Sequence, residues 1–316
     1  MRSLVKIRVQ KDLILLYLGD VFKSILNLRF TSRLGNMKLK NSIGAGKSFN
    51  EKLSKKMFYD RSAQLTLVAD KIMVREYVEK RISSKFLSKL HFVGSNPNDI
   101  PWDNLPRSFV IKVNHASGGM ILVCDCKLKH NVLPFRIIGN IWPRFLISRE
   151  ETRDRRNIDR ILKHWLSNSF YRTPNKLPEF AYKGIVPTIF IEEFLSTDCG
   201  SIPSDYKFFC FHGECRIIQV DSDRFNVHTR DMFDLDWNLL PFTFTYPNST
   251  VPPIRPENLE ELVGVAEILS KGFDFIRVDL YNLNGRVIFG ELTNYPEGSL
   301  GKFSSQQWDE ILGSFW

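Results

Sequence analysis

Residues 273–298 read FDFIRVDLYNLNGRVIFGELTNYPEG, and the chain is organised around this stretch. Two short runs, Phe275–Tyr281 and Arg286–Leu292, flank Leu283-Asn284-Gly285, which predicts a β-hairpin. On the first strand Ile276, Val278 and Leu280 point to one face, and Arg277, Asp279 and Tyr281 to the other. The register decides where Glu291 falls. A two-residue Asn-Gly loop sets Asp279 opposite Gly290 and buries the Glu291 carboxylate among the apolar residues, which is costly. A three-residue loop with Gly285 in the left-handed region sets Arg277 opposite Glu291, and this is the register expected. One face of a rigid hairpin then carries an Arg, an Asp and a Glu.

Carboxylates held this close repel unless a proton or a metal lies between them. Oxygen ligands on a rigid scaffold suit Mg²⁺, whose shell is usually completed by substrate phosphates, and a neighbouring guanidinium suits an oxyanion. The plainer alternative is a surface hairpin with a cross-strand Arg–Glu pair. The sequel, Thr293-Asn294-Tyr295-Pro296-Glu297-Gly298, tells against it, because turn formers directly after a carboxylate-bearing strand let backbone approach a phosphate.

The series Arg-x-Asp, short hairpin, Glu-x-Thr and Pro/Gly turn resembles the metal-binding end of the ATP-grasp fold. Longer runs are similar to one branch, the TupA-like ATP-grasp family associated with teichuronopeptide and other surface-polysaccharide biosynthesis. These runs are VREYV (74–78), FVIKVNHASGG (109–119), DYKFFCFHG (205–213), QVDSDRF (219–225), DLDWNLLP (234–241) and the hairpin itself. The resemblance implies an α+β fold with two lobes clasping Mg-ATP over residues 51–316, a hinge near residues 192–195, and a helical, basic segment with a linker at residues 1–50. It implies ATP-dependent joining of a carboxylate to an amine through an acyl phosphate, with an amino acid and a uronic acid of a surface glycan as the family's setting. Asp279, Glu291 and Thr293 would hold Mg²⁺. Lys112, on a strand that leads into Ser117-Gly118-Gly119, would meet the phosphates together with that loop, and Arg277 would balance charge during transfer. Glu192, Glu193 and Leu195 match the strand end that meets adenine and ribose, with Lys183 upstream facing the nucleotide.

One departure is Thr293, where many ATP-grasp enzymes place Asn two residues after the metal Glu; a hydroxyl is the weaker ligand. It keeps open a glycan-directed kinase, a glycosyltransferase, or a non-catalytic nucleotide-binding protein. Hydroxylamine trapping of an acyl phosphate marks a ligase, and a stable phosphosugar marks a kinase. Consumption of a sugar nucleotide without ATP marks a transferase.

Other segments read from their own residues. Asp205 and Lys207 alternate with Phe209 and Phe211 on one face of a second hairpin, as an ion pair or as a pair aimed at the nucleotide. Downstream, Asp221, Asp223, Arg224, His228 and Arg230 are too polar for core. Arg224 is the candidate for phosphate or a substrate carboxylate, and His228 and Arg230 are candidate substrate contacts. Residues 71–81 read as a helix whose Arg75 ties it to the body. Residues 157–170 form an amphipathic helix, and a further helix lies between Pro252–Pro256 and Gly272. Asn41–Ser48 (NSIGAGKS) imitates a P-loop, but Asn41 stands where that motif needs Gly and no strand precedes it, so a linker is expected.

The chain has 316 residues with 44 Lys and Arg against 35 Asp and Glu, a net charge of +9 that favours anionic partners. No nucleic-acid motif is present, and the clusters at Lys52–Lys56 and Arg153–Arg156 are short enough to be solvated faces. Leu13–Leu18 is too short to span a bilayer. A helix over Lys11–Leu28 is expected to pack on the body or, alternatively, to lie on a membrane surface, placing the protein in the cytoplasm or at the inner membrane face. The five cysteines lack metal-ligand spacing and read as reduced core thiols, and the six histidines show neither zinc spacing nor a triad.

Overall fold

Two five-stranded sheets arise from the alternating runs. In the computed structural model, which describes residues 46–125, 130, 133–135, 137–173, 177–197, 203–223 and 227–316, residues 46–173 and 178–316 form one compact unit. The expectations for the helix at Lys11–Leu28, for Asn41–Ala45 and for Arg224 lie outside the described residues.

The first sheet comprises β1 (Leu90–Gly94), β2 (Phe109–Val113), β3 (Met120–Val123), β4 (Arg144–Ile147) and β5 (Ile189–Glu193), in the order β1-β5-β2-β3-β4. Its pairings are antiparallel except β3 with β4. The helix Arg155–Ser167 packs Ile158, Ile161, Leu162 and Trp165 into the core of this sheet. The second sheet comprises β6 (Asp205–Phe211), β7 (Glu214–Ser222), β8 (Thr229–Phe233), β9 (Phe275–Leu283) and β10 (Arg286–Thr293), in the order β10-β9-β6-β7-β8, all antiparallel.

Helices α1 (Phe49–Tyr59), α2 (Ala63–Ala69), α3 (Met73–Arg81), α4 (Arg155–Ser167), α5 (Leu259–Ser270) and α6 (Gln306–Ser314) complete the set of described α-helices. Residues of α2, α3 and α5 share a core with Phe208, Ile276, Val278 and Leu280, the apolar face of the second sheet. The opposite face of β9 changes character along its length. Phe275 packs in an aromatic cluster with Phe49, Phe211 and Trp316, whereas Arg277 and Asp279 carry the charge.

Gly46 to Ser48 lead into α1, which begins at Phe49. Ser48 caps α1 in a capping box with Glu51, so the Lys-Ser pair of the P-loop look-alike serves a helix end. The cysteine expectation needs correction: Cys210 and Cys215 are free and buried, but Cys124, just past β3, is disulfide-bonded. Among the described residues no helix is long and apolar enough to cross a membrane.

Candidate functional site

The hairpin of β9 and β10 takes neither of the two registers weighed from sequence. Leu283 pairs with Arg286 across a two-residue turn, with Asn284 (φ 52°) and Gly285 (φ 85°) both left-handed. That register persists to Leu280–Phe289 and then slips by one residue at Gly290, so that Glu291 stands opposite Asp279 and Thr293 opposite Arg277. A β-bulge thus turns Glu291 to the polar face that the short turn alone would deny it. A Cβ at Gly290 would lie 3.0 Å from the Asp279 carbonyl oxygen, which explains the residue.

Asp279 and Glu291 do not confront each other as bare charges. Arg277 donates side-on to Asp279, Nε to Oδ1 and Nη2 to Oδ2, both at 2.7 Å, and Lys207 donates to Oδ2 at 2.7 Å. Lys207 also pairs with Asp205 on its own strand. The Thr293 hydroxyl accepts from Arg277 at 3.1 Å and donates to Glu291 at 3.1 Å. Lys71 Nζ lies 3.7 Å from Glu291, and Arg277 lies 3.6 Å from it. Three carboxylates (Asp205, Asp279, Glu291) therefore interleave with three cations (Lys71, Lys207, Arg277), and the expected like-charge repulsion is already neutralised. Burial pushes the Asp279 carboxyl up, against the pull of Arg277 and Lys207. Arg277 itself is pushed up: the nearby Asp279 and Glu291 charges outweigh a burial that would lower it. Glu291 is held well below the usual carboxylate range by Lys71, Lys207 and Arg277, which together overcome its burial.

Across the cleft, Lys112 at the end of β2 bonds Glu192 of β5 at 2.5 Å. Ser88 donates to the other Glu192 oxygen at 2.7 Å, and Lys112, Ser88 and Arg75 keep that carboxyl low despite its burial. The following loop turns at Gly118 (φ 89°), where a Cβ would sit 2.8 Å from the Trp142 carbonyl oxygen. Only glycine takes this left-handed turn against Trp142, and Gly118 lines the cleft there.

One cleft is lined by Lys112, Ser117, Gly118, Glu192, Glu193, Leu195, Asp205, Asp279 and Glu291, so the structure brings together nine of the residues picked from sequence. Arg277, Lys207 and Thr293 stand just behind, holding Asp279 and Glu291. Gly119 donates its N–H to Trp142. Three others lie apart from the lining. Lys183 sits about 6 Å from the rings of Tyr171 and Phe180. Arg230 is buried between Asp221 (2.6 Å) and Glu297 (2.8 Å). His228 stacks on Tyr246 with Nε2 3.5 Å from Asp221, whose carboxyl is driven far down by His228 and Arg230 despite its burial.

Sequence reasoning missed Lys71, Arg75 and Arg144, which line the same cleft. Arg75 does bond Ser88, as its tying role predicted, but it also faces the cavity. The signal was faint: Lys71 and Arg75 are four residues apart around a helix start, and Arg144 opens a strand, positions that surface residues also occupy.

For Mg²⁺ the donors are oxygens of the right kind. Glu291 is 39% exposed, and Asp279 Oδ1 accepts a hydrogen bond from Arg277 where a carboxylate oxygen has room for two. Among the described residues no group of three or more His, Cys, Asp or Glu is assembled for a metal. The site thus fits an ion held by one or two carboxylates and completed by phosphate oxygens.

A protein-family model described as TupA-like ATPgrasp matches residues 51–316. No curated protein matches the sequence. Among solved structures, the ADP complex of purK, N5-carboxyaminoimidazole ribonucleotide synthetase, is similar at TM-score 0.42 and 10% identity, over 75% of this chain and 47% of that one. D-alanine–D-alanine ligase from Bacillus anthracis complexed with ATP gives 0.40 and 12%, over 80% and 64%. ATP-grasp ligase PsnB with minimal precursor, Mg and ADP gives 0.38 and 9%, over 78% and 58%. The chain spans less than two-thirds of the length of each of these structures.

Proposed function

The chain belongs to the TupA-like ATP-grasp family and has its α+β ATP-grasp fold, and on that premise we propose that it is an ATP- and Mg²⁺-dependent carboxylate–amine ligase of surface-polysaccharide biosynthesis. The observation that carries the reading is charge placement: Lys71, Arg75, Lys112 and Arg144 line the same cleft as Asp279 and Glu291. Cations and a carboxylate pair lining one cleft suit a polyphosphate with its divalent counter-ion. Glu192 and Glu193 end the strand that reaches the cleft and Leu195 follows it, and there they would meet the base and ribose.

In the proposed reaction a carboxylate oxygen of the acceptor attacks the γ-phosphorus and the bond to the β–γ bridging oxygen breaks. ADP leaves, and an acyl phosphate remains. An amine then adds to the acyl carbon, loses its proton and expels inorganic phosphate, leaving an amide. Mg²⁺, held by Asp279 and Glu291, would neutralise phosphate charge. The chain's own part is positioning and electrostatics. Lys112, fixed by Glu192, presents a localised ammonium to the phosphates. Arg277, immobilised by Asp279 and Thr293, offers a rigid guanidinium beside Glu291 for charge that builds during transfer. Among the described residues this scheme calls on no covalent nucleophile. The acceptor is a uronic acid or a related glycan carboxylate, and the donor an amino acid, by the family's association rather than by any contact in the cleft.

The test supplies Mg-ATP, a uronic-acid glycan and hydroxylamine. Accumulation of an acyl hydroxamate with stoichiometric phosphate is expected. ADP together with a stable phosphorylated glycan would overturn the ligase reading in favour of a kinase.

A further inference from the structure

Helix α4 has one face in the core and the other in solvent, and the solvent face is basic. Arg156, Arg160 and Lys163 recur at helical spacing and are all exposed. Arg156 is paired with Asp154 at 2.7 Å, whereas Arg160 and Lys163 make no ion pair among the described residues. Beside this stripe runs the connection that leads into β4, and it exposes three large apolar side chains: Phe135 (71%), Ile138 (74%) and Ile141 (51%). The two features form one surface. The Arg160 guanidinium lies 4.2 Å from the centre of the Phe135 ring, and the His164 imidazole meets the Gly139 carbonyl at 2.9 Å.

Scattered exposed apolar residues are ordinary, but three between Phe135 and Ile141, bordered by cations without a carboxylate partner among the described residues, are not. We propose that this face seats on an anionic lipid bilayer. Phe135, Ile138 and Ile141 would enter the headgroup–acyl boundary, and Arg160 and Lys163 would meet lipid phosphates. The charge complementarity selects the partner: long cationic side chains beside apolar ones keep their heads at the phosphate level while their stems cover hydrocarbon.

The seating has a consequence for the cleft. The same connection ends at Trp142, whose carbonyl accepts the N–H of Gly119, and Met120 donates to Pro143. The bilayer-facing loop is therefore continuous with the loop that carries Ser117 and Gly118 in the cleft lining. Docking would hold the cleft close to the membrane surface.

Co-sedimentation of the full chain with vesicles tests the proposal without reference to catalysis. The probes are vesicles of phosphatidylcholine alone and of equal parts phosphatidylcholine and phosphatidylglycerol. Binding to the mixed vesicles and little to the neutral ones is expected. Arg160→Glu with Lys163→Glu should weaken binding by at least about tenfold, since each basic residue near an anionic surface is worth roughly a factor of five. Ile138→Asp should weaken it comparably, and circular dichroism of each variant should match the parent. Failure of the parent to bind the mixed vesicles overturns the proposal. So does unchanged binding of both variants, which would place any membrane contact elsewhere in the chain. A parent dimer that Ile138→Asp converts to monomer also overturns it, because the face would then be covered by a second copy.

Discussion

Replacing Asp279 by Asn separates two descriptions of the site. If Asp279 were a bare carboxylate repelling Glu291, removing its charge would leave the metal-free protein as stable as before, or more so. The geometry demands the opposite. Asp279 is 2% exposed and is the shared counter-charge of Arg277 and Lys207, each within 2.7 Å. Asn keeps the size and one acceptor but leaves Lys207 with Asp205 alone and Arg277 with only the longer contact to Glu291 as counter-charge. Removing one partner of a buried ion pair costs about 3–5 kcal/mol. For a protein of this length each kcal/mol moves Tm by about 1.5 °C, so a drop of roughly 5–8 °C is expected. Differential scanning calorimetry without nucleotide or metal reads it directly. Adding Lys207→Met to Asp279→Asn should cost less than Lys207→Met costs in the parent, because one of the two pairs it breaks is already gone. An Asp279→Asn protein melting at or above the parent would refute this account. So would a double variant showing the simple sum of the two single losses.

Glu291→Gln should behave differently. Its side chain is 39% exposed and its ion pairs are longer, 3.6 and 3.7 Å, so after solvent screening the stability cost is roughly 1 kcal/mol. Because its carboxyl is depressed in the fold, that contribution is fully present above the ordinary Glu value and fades progressively as pH falls from there toward the folded one. Melts at neutral pH and at pH 3, read against the parent, should converge in acid. Isothermal titration should show Mg²⁺-dependent ATP binding falling at least about tenfold. Lys112→Ala should weaken ATP binding with little change in Tm, since Lys112 is an edge-of-cleft cation; a large Tm loss with unchanged affinity would make it merely Glu192's partner. Gly290→Ala should cost about 1–2 kcal/mol by crowding the Asp279 carbonyl. Nuclear magnetic resonance of the hairpin amides should then show the strand pairing beyond residue 290 disturbed, whereas an undisturbed pattern would mean the bulge tolerates a side chain.

The sequence by itself determined the strands, because their alternation of apolar and polar residues is local. It also marked which face of the hairpin holds charge, placed Lys112 at a strand end before a glycine turn, and carried enough spaced runs to show its family. It could not fix the hairpin register. Both options considered from the turn alone assumed continuous pairing, and the answer lay in a bulge at Gly290 that depends on the Asp279 backbone opposite it. Nor could it tell that Lys207, two strands from Glu291, would become the second cation on Asp279, for this pairing spans 72 residues of chain. Lys71, Arg75 and Arg144 were unreadable for the same reason: charge at a helix start or a strand end looks alike whether it meets water or a cleft. Only the packing of the second sheet against its neighbours decides which of those charges are buried together, and that is a property of distances through space rather than of order along the chain.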